Sequence, residues 1–462
     1  MESFFSFLNG YLWGWPMIIL LLGTHVFMTF RLGFIQRKVP LGIKLSVSKD
    51  TGSKGDVSQF GALATAMAST VGTGNIVGVG TAIALGGPGA VLWMWLSGVF
   101  GIATKYGESF IGVKYRVQTS DGTMLGGAMY ALERGLHCKW GGMVFAALTA
   151  LAAFGIGVLV QEKAMISVVN SNFGLPGWVT GLIAAVLVGM VILGGVKSIA
   201  RVCTALVPFM AALYALGCIV IIIINWEFVG PAIALICKSA FQPQAAGGGF
   251  IGASIVAAAR YGVARGLFSN ESGMGSAPIV AAAAQTKNPA RQALVSCTGT
   301  FWDTVVICAL TGIVIVSTVL SNTSIAYDST GATLPGDALT TAAFSQIPVL
   351  GPIVLVFGLI TFAFSTILGW SYYGERGVEY LFGKKGITPY RILWILVMLA
   401  GSFMMSLGGV FEMADSLNAL MAIPNIIAVL LLSNVIAKET KHFLNGNLDE
   451  DVSDSIPIVE KK

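Results

Sequence analysis

Charged residues are scarce in this chain. Only 11% of its 462 residues are Asp, Glu, Lys or Arg, whereas 55% are hydrophobic. Soluble globular domains carry about 25% charged residues, so this composition excludes an ordinary soluble fold and predicts an all-α polytopic protein of the cell membrane. The net charge of +5 comes from Lys and Arg in loops, where they set membrane orientation and do not indicate nucleic-acid binding.

Cysteine and histidine are also rare, and neither forms a cluster. The six cysteines include no CxxC pair and mostly lie in apolar runs, so we interpret them as buried free thiols. The three histidines are far apart, and none has another metal ligand beside it. No grouping of His, Cys and carboxylate residues therefore indicates a metal cofactor or an enzyme.

Long apolar runs make up most of the chain. Runs of roughly 18 to 28 residues are each long enough to cross about 30 Å of hydrocarbon, and they predict eleven transmembrane helices. Lys and Arg fall almost entirely in alternate loops, which places the N-terminus outside and the C-terminus in the cytoplasm. The apolar runs lie near 12–34, 60–85, 90–112, 142–170, 177–195, 202–225, 252–284, 293–320, 349–373, 390–408 and 413–436.

These spans divide the chain into a leading helix and two groups of five core helices. The polar stretch from Ser321 to Pro348 is interpreted as a re-entrant lid over a pocket. The predicted divisions are a leading helix with a basic cytoplasmic loop (1–58), a first repeat (59–225), an extracellular connection (226–251), a second repeat (252–436) and a cytoplasmic tail (437–462) that we expect to be disordered.

A polar, glycine-broken stretch, Ser69 to Asn75, interrupts the first core helix. In hydrocarbon every main-chain N–H and C=O group needs a partner, so a break survives only where it lines a cavity or contacts a ligand. Free N–H groups at Thr73, Gly74 and Asn75 predict a site for a carboxylate, and free carbonyls just before them suit a small cation. Taken alone, such small residues more often form a close-packing stripe.

A second interrupted stretch, Arg265 to Pro278, favours the binding interpretation. It repeats the G-x-G pattern of Gly72–Gly74 at Gly273–Gly275, in the sixth core helix. Paired interrupted helices are the best sequence indication of a midplane substrate site between inverted repeats. We therefore predict a five-plus-five inverted repeat in which core helices 1 and 6 are broken.

The run from Gly86 to Gly98, GGPGAVLWMWLSG, resembles the signature of the alanine or glycine:cation symporter family, which usually has Phe in place of Leu92. The similarity extends over nearly the whole chain, including both breaks. It implies the architecture of the bacterial leucine transporter, within the amino acid-polyamine-organocation superfamily. It also implies sodium as a coupling ion and no catalytic cofactor.

The resemblance implies a sodium site between the first break and core helix 8. Its ligands would be the main-chain carbonyls of Ala68 and Val71 and the hydroxyls of Ser365 and Thr366. Adjacent hydroxyls in an apolar helix often bond back to their own main chain instead, and this is the alternative for Ser365 and Thr366.

A second cation position in the same architecture matches Asn75 and Ser269. Glu271 lies nearby, where a carboxylate is costly, and could take the place of a cation or carry a proton. The alternative for Glu271 is an ion pair with Arg260 or Arg265. The number of cations is left open.

The predicted pocket is small. Trp370 lies one turn beyond Thr366, so its indole occupies space that a longer substrate side chain would need, unless Trp370 faces lipid at the membrane interface. Met274 forms another apolar wall, and Gln161 reaches the pocket from core helix 3. Such a pocket should admit glycine or alanine and reject longer side chains. The predicted substrate-binding residues are Thr73, Gly74, Asn75, Gln161, Phe268, Gly273, Met274, Thr366 and Trp370.

These features indicate a secondary symporter that imports L- or D-alanine or glycine with sodium by alternating access. The alternatives are a cation-coupled transporter of a larger amino acid or a nucleobase, and proton coupling in place of sodium. The sequence implies no chemical reaction on the substrate and does not indicate an oligomeric state.

Overall fold

The computed structural model describes residues 2–48, 50, 52–243, 250, 254–327, 334–403 and 408–459. This part of the chain is mostly helical, with one small sheet. The helices of the first half are α1 Glu2–Leu12, α2 Trp15–Arg31, α3 Val39–Ser46, α4 Gln59–Thr70, α5 Val79–Gly86, α6 Gly89–Lys114, α7 Ala128–Tyr130, α8 Lys139–Ala152, α9 Val160–Phe173, α10 Gly177–Ile192 and α11 Gly195–Ile224. Those of the second half are α12 Trp226–Phe241, α13 Ile255–Asn270, α14 Ala277–Ala281, α15 Pro289–Thr300, α16 Ala309–Ser321, α17 Gly336–Phe344, α18 Leu350–Phe382, α19 Ile387–Gly401, α20 Gly408–Leu431 and α21 Ser433–His442. The strands are β1 Val117–Thr119, β2 Met124–Leu125 and β3 Ile458–Val459.

Several helices are long and apolar enough to cross a membrane. Within the described residues there are five, or up to seven if each of two bent helix pairs counts as one span. On α10, the apolar side chains of Leu182, Ile183 and Leu187 are exposed, as a lipid-facing surface requires. The five helices are Lys139–Phe173, Gly195–Ile224, Pro289–Ser321, Leu350–Phe382 and Glu412–Leu431. The count of eleven spans stays a prediction.

The first core helix is broken where the sequence predicted. The Ser58 hydroxyl caps α4 by accepting from the Gly61 N–H at 3.0 Å, and the helix ends at Thr70. Val71 then adopts an extended ψ of 90°. A wide helical turn, Gly74–Gly78, leads into α5, and the two halves meet at an angle of 52°.

The sixth core helix is broken as well. Its first half, α13, ends at Asn270, and its second half, α14, begins only at Ala277. Between them Glu271 has a φ of 53°, and Gly273 and Gly275 have φ values of 90° and 79°. Glycine adopts such angles without the steric cost that a Cβ brings, so the second G-x-G pattern supplies the turn.

The two breaks lie side by side in the middle of the helix bundle. A Cβ on Gly74 would lie 3.5 Å from the ring of Phe268 and from Ser269 Cα. From the other side, α18 packs against α4, so that a Cβ on Gly369 would lie 2.8 Å from Ser69 Cβ. Three elements therefore meet around the first break: α4 with its continuation, α13, and α18.

The C-terminal tail differs from our expectation of disorder. α21 and β3 are ordered, and β3 pairs in parallel with β1, which pairs antiparallel with β2. The Asn288 amide donates to the carbonyls of Leu448 and Glu450 at 2.8 and 2.9 Å, and Val452 N donates to Lys287 O at 2.8 Å. The tail is ordered because these partners, close to it only in the folded chain, satisfy its main-chain groups.

The predicted connection over 226–251 contains a helix of its own. α12 packs against α6 and α16. Residues 244–249 and 251–253, which complete this connection, lie outside the described residues.

Candidate functional site

A cavity of about 810 Å³, here called the central cavity, reaches the first break. Thr73 and Gly74 line it together with Phe268 from α13, and α17 contributes Asp337. Its volume lies within the range of about 300–1,000 Å³ that is typical of small-ligand sites. In the polar stretch that we interpreted as a lid, α17 thus forms a cavity wall, while residues 328–333 lie outside the described part of the chain.

Two main-chain N–H groups of the first break are available to a ligand. Neither Thr73 N–H nor Gly74 N–H donates a hydrogen bond to any described residue. The N–H of Asn75, in contrast, donates to Gly72 O at 3.2 Å, and the Asn75 side-chain oxygen accepts from Gly72 N at 2.8 Å. Asn75 therefore closes the turn, and the predicted carboxylate site narrows to Thr73 and Gly74.

Gln161 contacts the first break from α9. Its Oε1 accepts from the Thr73 hydroxyl at 3.2 Å, and its Nε2 donates to the Ile156 carbonyl at 3.2 Å. Ile156 belongs to the wide helical segment Ala153–Leu159, in which a π-type turn frees main-chain groups. The structure thus brings Gln161 into contact with Thr73 of the first break, and its role in substrate binding stays a prediction.

Three of the four predicted sodium ligands come together. The Thr366 hydroxyl donates to the Ala68 carbonyl at 3.0 Å, and the Ser365 hydroxyl lies 3.4 Å from the same oxygen. Both hydroxyls also lie within 3.0 Å of Phe362 O, which is the back-bonding alternative. Neutral oxygens of this kind suit a monovalent hard cation, which would replace these hydrogen bonds. No contact of the Val71 carbonyl places it in this group.

The second predicted cation position contains a carboxylate that the sequence analysis missed. Asn75 Nδ2 donates to Asp303 Oδ1 at 2.7 Å, and the Ser269 hydroxyl donates to Asp303 Oδ2 at 3.0 Å. The Thr304 hydroxyl donates to Asp303 Oδ2 at 2.7 Å. Asp303 is fully buried and joins the two breaks. A carboxylate within an apolar span is a functional candidate by default, and this signal was available in the sequence.

Glu271 is held by neighbours other than the expected arginines. Its carboxylate accepts from the Trp370 indole N–H at 3.1 Å and from the Ser276 hydroxyl at 2.5 Å. No salt bridge joins Glu271 to Arg260 or Arg265 in the described residues. The Trp370 ring is fully buried, so the alternative in which it faces lipid does not apply to this structure.

An internal carboxylate occupies the free N–H groups of the second break. Glu108 Oε2, on α6, accepts from the main-chain N–H of Gly273 and Gly275, both at 3.1 Å, and from the Asn425 amide at 2.8 Å. Lys105 forms an ion pair with Glu108 at 3.2 Å and donates to the Glu271 carbonyl at 3.0 Å. Because its N–H groups are already bound, the second break is not free to bind a substrate carboxylate.

The predicted substrate-binding residues therefore fall into two groups. Thr73, Gly74 and Phe268 line the central cavity, and Gln161 contacts Thr73. The other predicted residues do not line the cavity: Asn75, Gln161, Gly273, Met274, Thr366 and Trp370. Met274 and Trp370 are fully buried and contact Glu271 of the second break, and Thr366 faces Ala68 and Gly72.

Two broken helices beside a central cavity, with neutral oxygens next to an open main-chain turn, are the architecture of a secondary transporter. Comparison with known proteins agrees. The profile of the Sodium:alanine symporter family matches residues 1–455, so the chain belongs to that family. It is thus a cation-coupled amino acid transporter and not an enzyme.

Relatives and a solved structure extend this comparison. The chain is 49% identical to the Sodium/alanine symporter AgcS of Methanococcus maripaludis over 96% of this chain and 97% of the relative. It is 37% identical to the Probable sodium/glutamine symporter GlnT of Bacillus subtilis over 96% and 91%. The crystal structure of MhsT in complex with L-phenylalanine matches with a TM-score of 0.54 at 16% identity, over 85% of this chain and 99% of that chain. This last likeness shows the shared leucine-transporter fold alone.

Proposed function

We propose that this protein imports alanine or glycine with sodium by alternating access between two inverted repeats. The observation that carries this proposal is the first break itself. On one face Thr73 and Gly74 present free N–H groups to the central cavity, and on the other the Ala68 carbonyl meets the Thr366 hydroxyl. One turn of main chain therefore binds an anionic group through its N–H groups and a cation through its carbonyl.

The substrate carboxylate binds Thr73 N–H and Gly74 N–H. Gly74 has no side chain beside these N–H groups, and a Cβ at this position would contact Phe268 and Ser269 at 3.5 Å. A larger side chain at this position would fill the space beside the N–H groups. The name of the Methanococcus maripaludis relative supports alanine as the substrate.

A longer amino acid such as glutamine is the second candidate substrate. One relative is named as a probable sodium/glutamine symporter. The predicted limit on substrate size also depended on Trp370 and Met274 lining the pocket, and they do not line the central cavity. The choice between alanine and glutamine therefore rests on competition measurements.

The proposed direction of transport follows from the end at which the cavity opens. Glu412 lines the central cavity and accepts hydrogen bonds from Asn9 on α1, so the cavity opens on the side of the leading helix. The distribution of Lys and Arg places the N-terminus outside. The cavity would then face the outside, ready to receive substrate.

The test is uptake of labelled alanine into proteoliposomes under an inward sodium gradient, with glycine, glutamine and a nucleobase as competitors. We expect uptake that requires sodium and is inhibited by glycine and alanine in preference to glutamine. Uptake driven equally well by a proton gradient without sodium would contradict the coupling ion, and preferential inhibition by glutamine would contradict the substrate.

A matched pair of variants tests the carboxylate site. Gly74→Val should abolish alanine binding, because its side chain covers the two N–H groups. Gly230→Val is the control, since Gly230 is exposed on α12, lies outside the central cavity, and a Cβ there meets nothing within 4 Å. Normal alanine affinity in Gly74→Val would contradict the site.

A further inference from the structure

A second polar cavity of about 310 Å³, here called the side chamber, adjoins the central cavity. It lies between α1, α13 and α20, and its polar lining consists mainly of Asn9, Trp13, Arg260, Arg265, Glu412 and Asp415. The chamber is at the lower end of the volumes found for small-ligand sites, which suits a compact molecule.

The two walls of the side chamber carry opposite charge. Arg260 and Arg265 lie on α13, whereas Glu412 and Asp415 lie one turn apart on α20. In the described part of the chain neither arginine forms a salt bridge. The guanidinium of Arg260 lies over the ring of Tyr261, 5.6 Å from its centroid, and that of Arg265 lies over Phe268 at 5.8 Å. Their hydrogen-bond donors therefore stay available for a ligand.

The leading helix fixes the acidic wall. Asn9 Nδ2 donates to both the carbonyl and the carboxylate of Glu412, at 2.7 and 2.5 Å, and accepts from the Ser416 hydroxyl at 2.7 Å. The Trp13 indole donates to the carbonyl of Asp415 at 3.0 Å. These contacts hold the first turns of α20 against the leading helix, so the two carboxylates are positioned before any ligand arrives.

The side chamber and the central cavity share part of their lining. Arg265, Phe268, Glu412 and Asp415 line both cavities, whereas Arg260 lines only the side chamber. These shared residues separate the side chamber from Thr73 and Gly74, which line the central cavity alone.

We propose that the side chamber is a separate binding site for the amino acid as a zwitterion, occupied before the central cavity. The carboxylate binds the arginines of α13, and the ammonium group binds Glu412 and Asp415 on α20. A simple anion or cation would meet one favourable and one repulsive wall, whereas a molecule carrying both charges satisfies both. The substrate class rests on the proposed function, but the site is independent of the first break.

The number of bound alanine molecules tests this proposal directly. Equilibrium binding of labelled alanine to the purified full-length protein, in saturating sodium, should give two molecules per chain. Arg260→Gln should give one, because it removes a charge from the side chamber only, and Gly74→Val should also give one, because it blocks only the central cavity. Lys238→Gln is the matched control, since Lys238 is an exposed cation outside both cavities.

Transport kinetics provide a second readout. Arg260→Gln should raise the KM for alanine uptake about tenfold with kcat unchanged, because the charged site concentrates substrate without taking part in the later steps. Raising ionic strength should increase KM in the wild type and have little effect in Arg260→Gln, and Arg260→Lys should restore part of the affinity.

The two proposals fail in different ways. A single bound alanine together with an unchanged KM in Arg260→Gln overturns the side chamber, while sodium-driven uptake would still support the proposed function. Two bound molecules without sodium-driven uptake overturn the proposed function and leave the side chamber supported. If the wild type binds no alanine, both are overturned.

Discussion

Among single residues, Thr366 links the proposed cation site to the proposed substrate site. The Thr366 hydroxyl donates to the Ala68 carbonyl. A Cβ on Gly72 would lie only 2.7 Å from this hydroxyl oxygen of Thr366. A cation that takes this hydroxyl as a ligand therefore touches the turn whose next residues, Thr73 and Gly74, face the cavity. We therefore expect the Thr366 hydroxyl oxygen to couple cation binding to substrate binding.

Replacing Thr366 by Val tests this role. The substitution preserves shape and removes the hydroxyl, so we expect the sodium concentration for half-maximal uptake to rise at least about tenfold, the equivalent of about 1.4 kcal/mol. The measurement is alanine uptake as a function of sodium concentration. Thr361→Val on the same helix is the control, because its hydroxyl bonds only its own main chain. An unchanged sodium dependence would contradict the cation site.

At the level of residues, the sequence predicted the contacts of the first break itself better than the buried side chains packed around it. Gln161 contacts Thr73, and Ser365 and Thr366 meet Ala68. The resemblance to the symporter family, and not the spacing of the residues, implied that Ser365 and Thr366 lie near Ala68. Asp303 could have been singled out as a carboxylate within an apolar span, but its partners, Asn75 and Ser269, are distant in sequence and visible only in the fold. The Asn75 N–H was assigned to substrate, since the local bond to Gly72 O is visible only in the folded turn.

At the level of elements, the second break is a structural joint. The Glu108 carboxylate accepts hydrogen bonds from the N–H groups of this break, and Lys105 and Asn425 hold Glu108 in place. The equivalent groups of the first break are open. Of two similar G-x-G patterns, one therefore has free main-chain N–H groups, and the N–H groups of the other donate to a side chain of α6. Pattern alone could not separate them, because the distinction depends on which helix packs alongside.

Glu108→Gln should destabilise the protein without removing a substrate contact. The variant leaves the buried Lys105 without its salt-bridge partner, and breaking one side of a buried ion pair costs about 3–5 kcal/mol. We expect a thermal unfolding midpoint several degrees lower in detergent. Glu227→Gln, at an exposed position on α12, is the control. Equal midpoints for Glu108→Gln and the wild type would show that the joint is not structural.

The tail forms another structural element, joining loops that lie far apart in sequence. Asp449 pairs with Arg291 at 2.8 Å, Ser53 donates to Asp451 at 3.0 Å, and β3 pairs with β1. The segments before α4 and after α14 are thereby held to the tail. Composition predicted disorder because the tail is charged and polar, and its partners were not visible in the sequence.

Deletion of residues 448–462 should loosen these segments. We expect faster amide hydrogen exchange over 50–57 and 282–291, whose contacts with the tail are lost, and unchanged exchange over 139–173. Hydrogen–deuterium exchange with mass spectrometry measures both regions. Unchanged exchange near residue 288 would mean that the tail does not stabilise this end of the bundle.

The contact of Asp449 with Lys287 and Arg291 predicts that the tail is held less firmly at low pH. A hydrogen bond from Lys287 and the charges of Lys287 and Arg291 hold the pKa of the Asp449 carboxyl below its usual range. Because the pKa is lower in the folded state, the contact is fully stabilising above the ordinary carboxyl pKa of about 4. This stabilisation is lost as the pH falls from there through the lowered pKa of the folded state. Exchange near residue 288 should therefore rise on acidification in the wild type and less so in Asp449→Asn.

At the scale of the whole molecule, the two breaks, the central cavity and the family agree on one class of protein. The fold could be predicted from the sequence because apolar runs and glycine-broken helices carry a strong signal in membranes. The side chamber could not, since it requires the leading helix to lie against α20. Asn9 and Trp13 gave no such indication in the sequence, and only their contacts with Glu412 and Asp415 show it.

The central claim is that one helix break binds substrate and cation together, and reciprocal binding tests it most directly. Calorimetry should show that sodium raises alanine affinity by the same factor by which alanine raises sodium affinity, as linkage requires for coupled sites. We expect this factor to fall to one in Thr366→Val. Alanine affinity that is independent of sodium in the wild type would contradict the account.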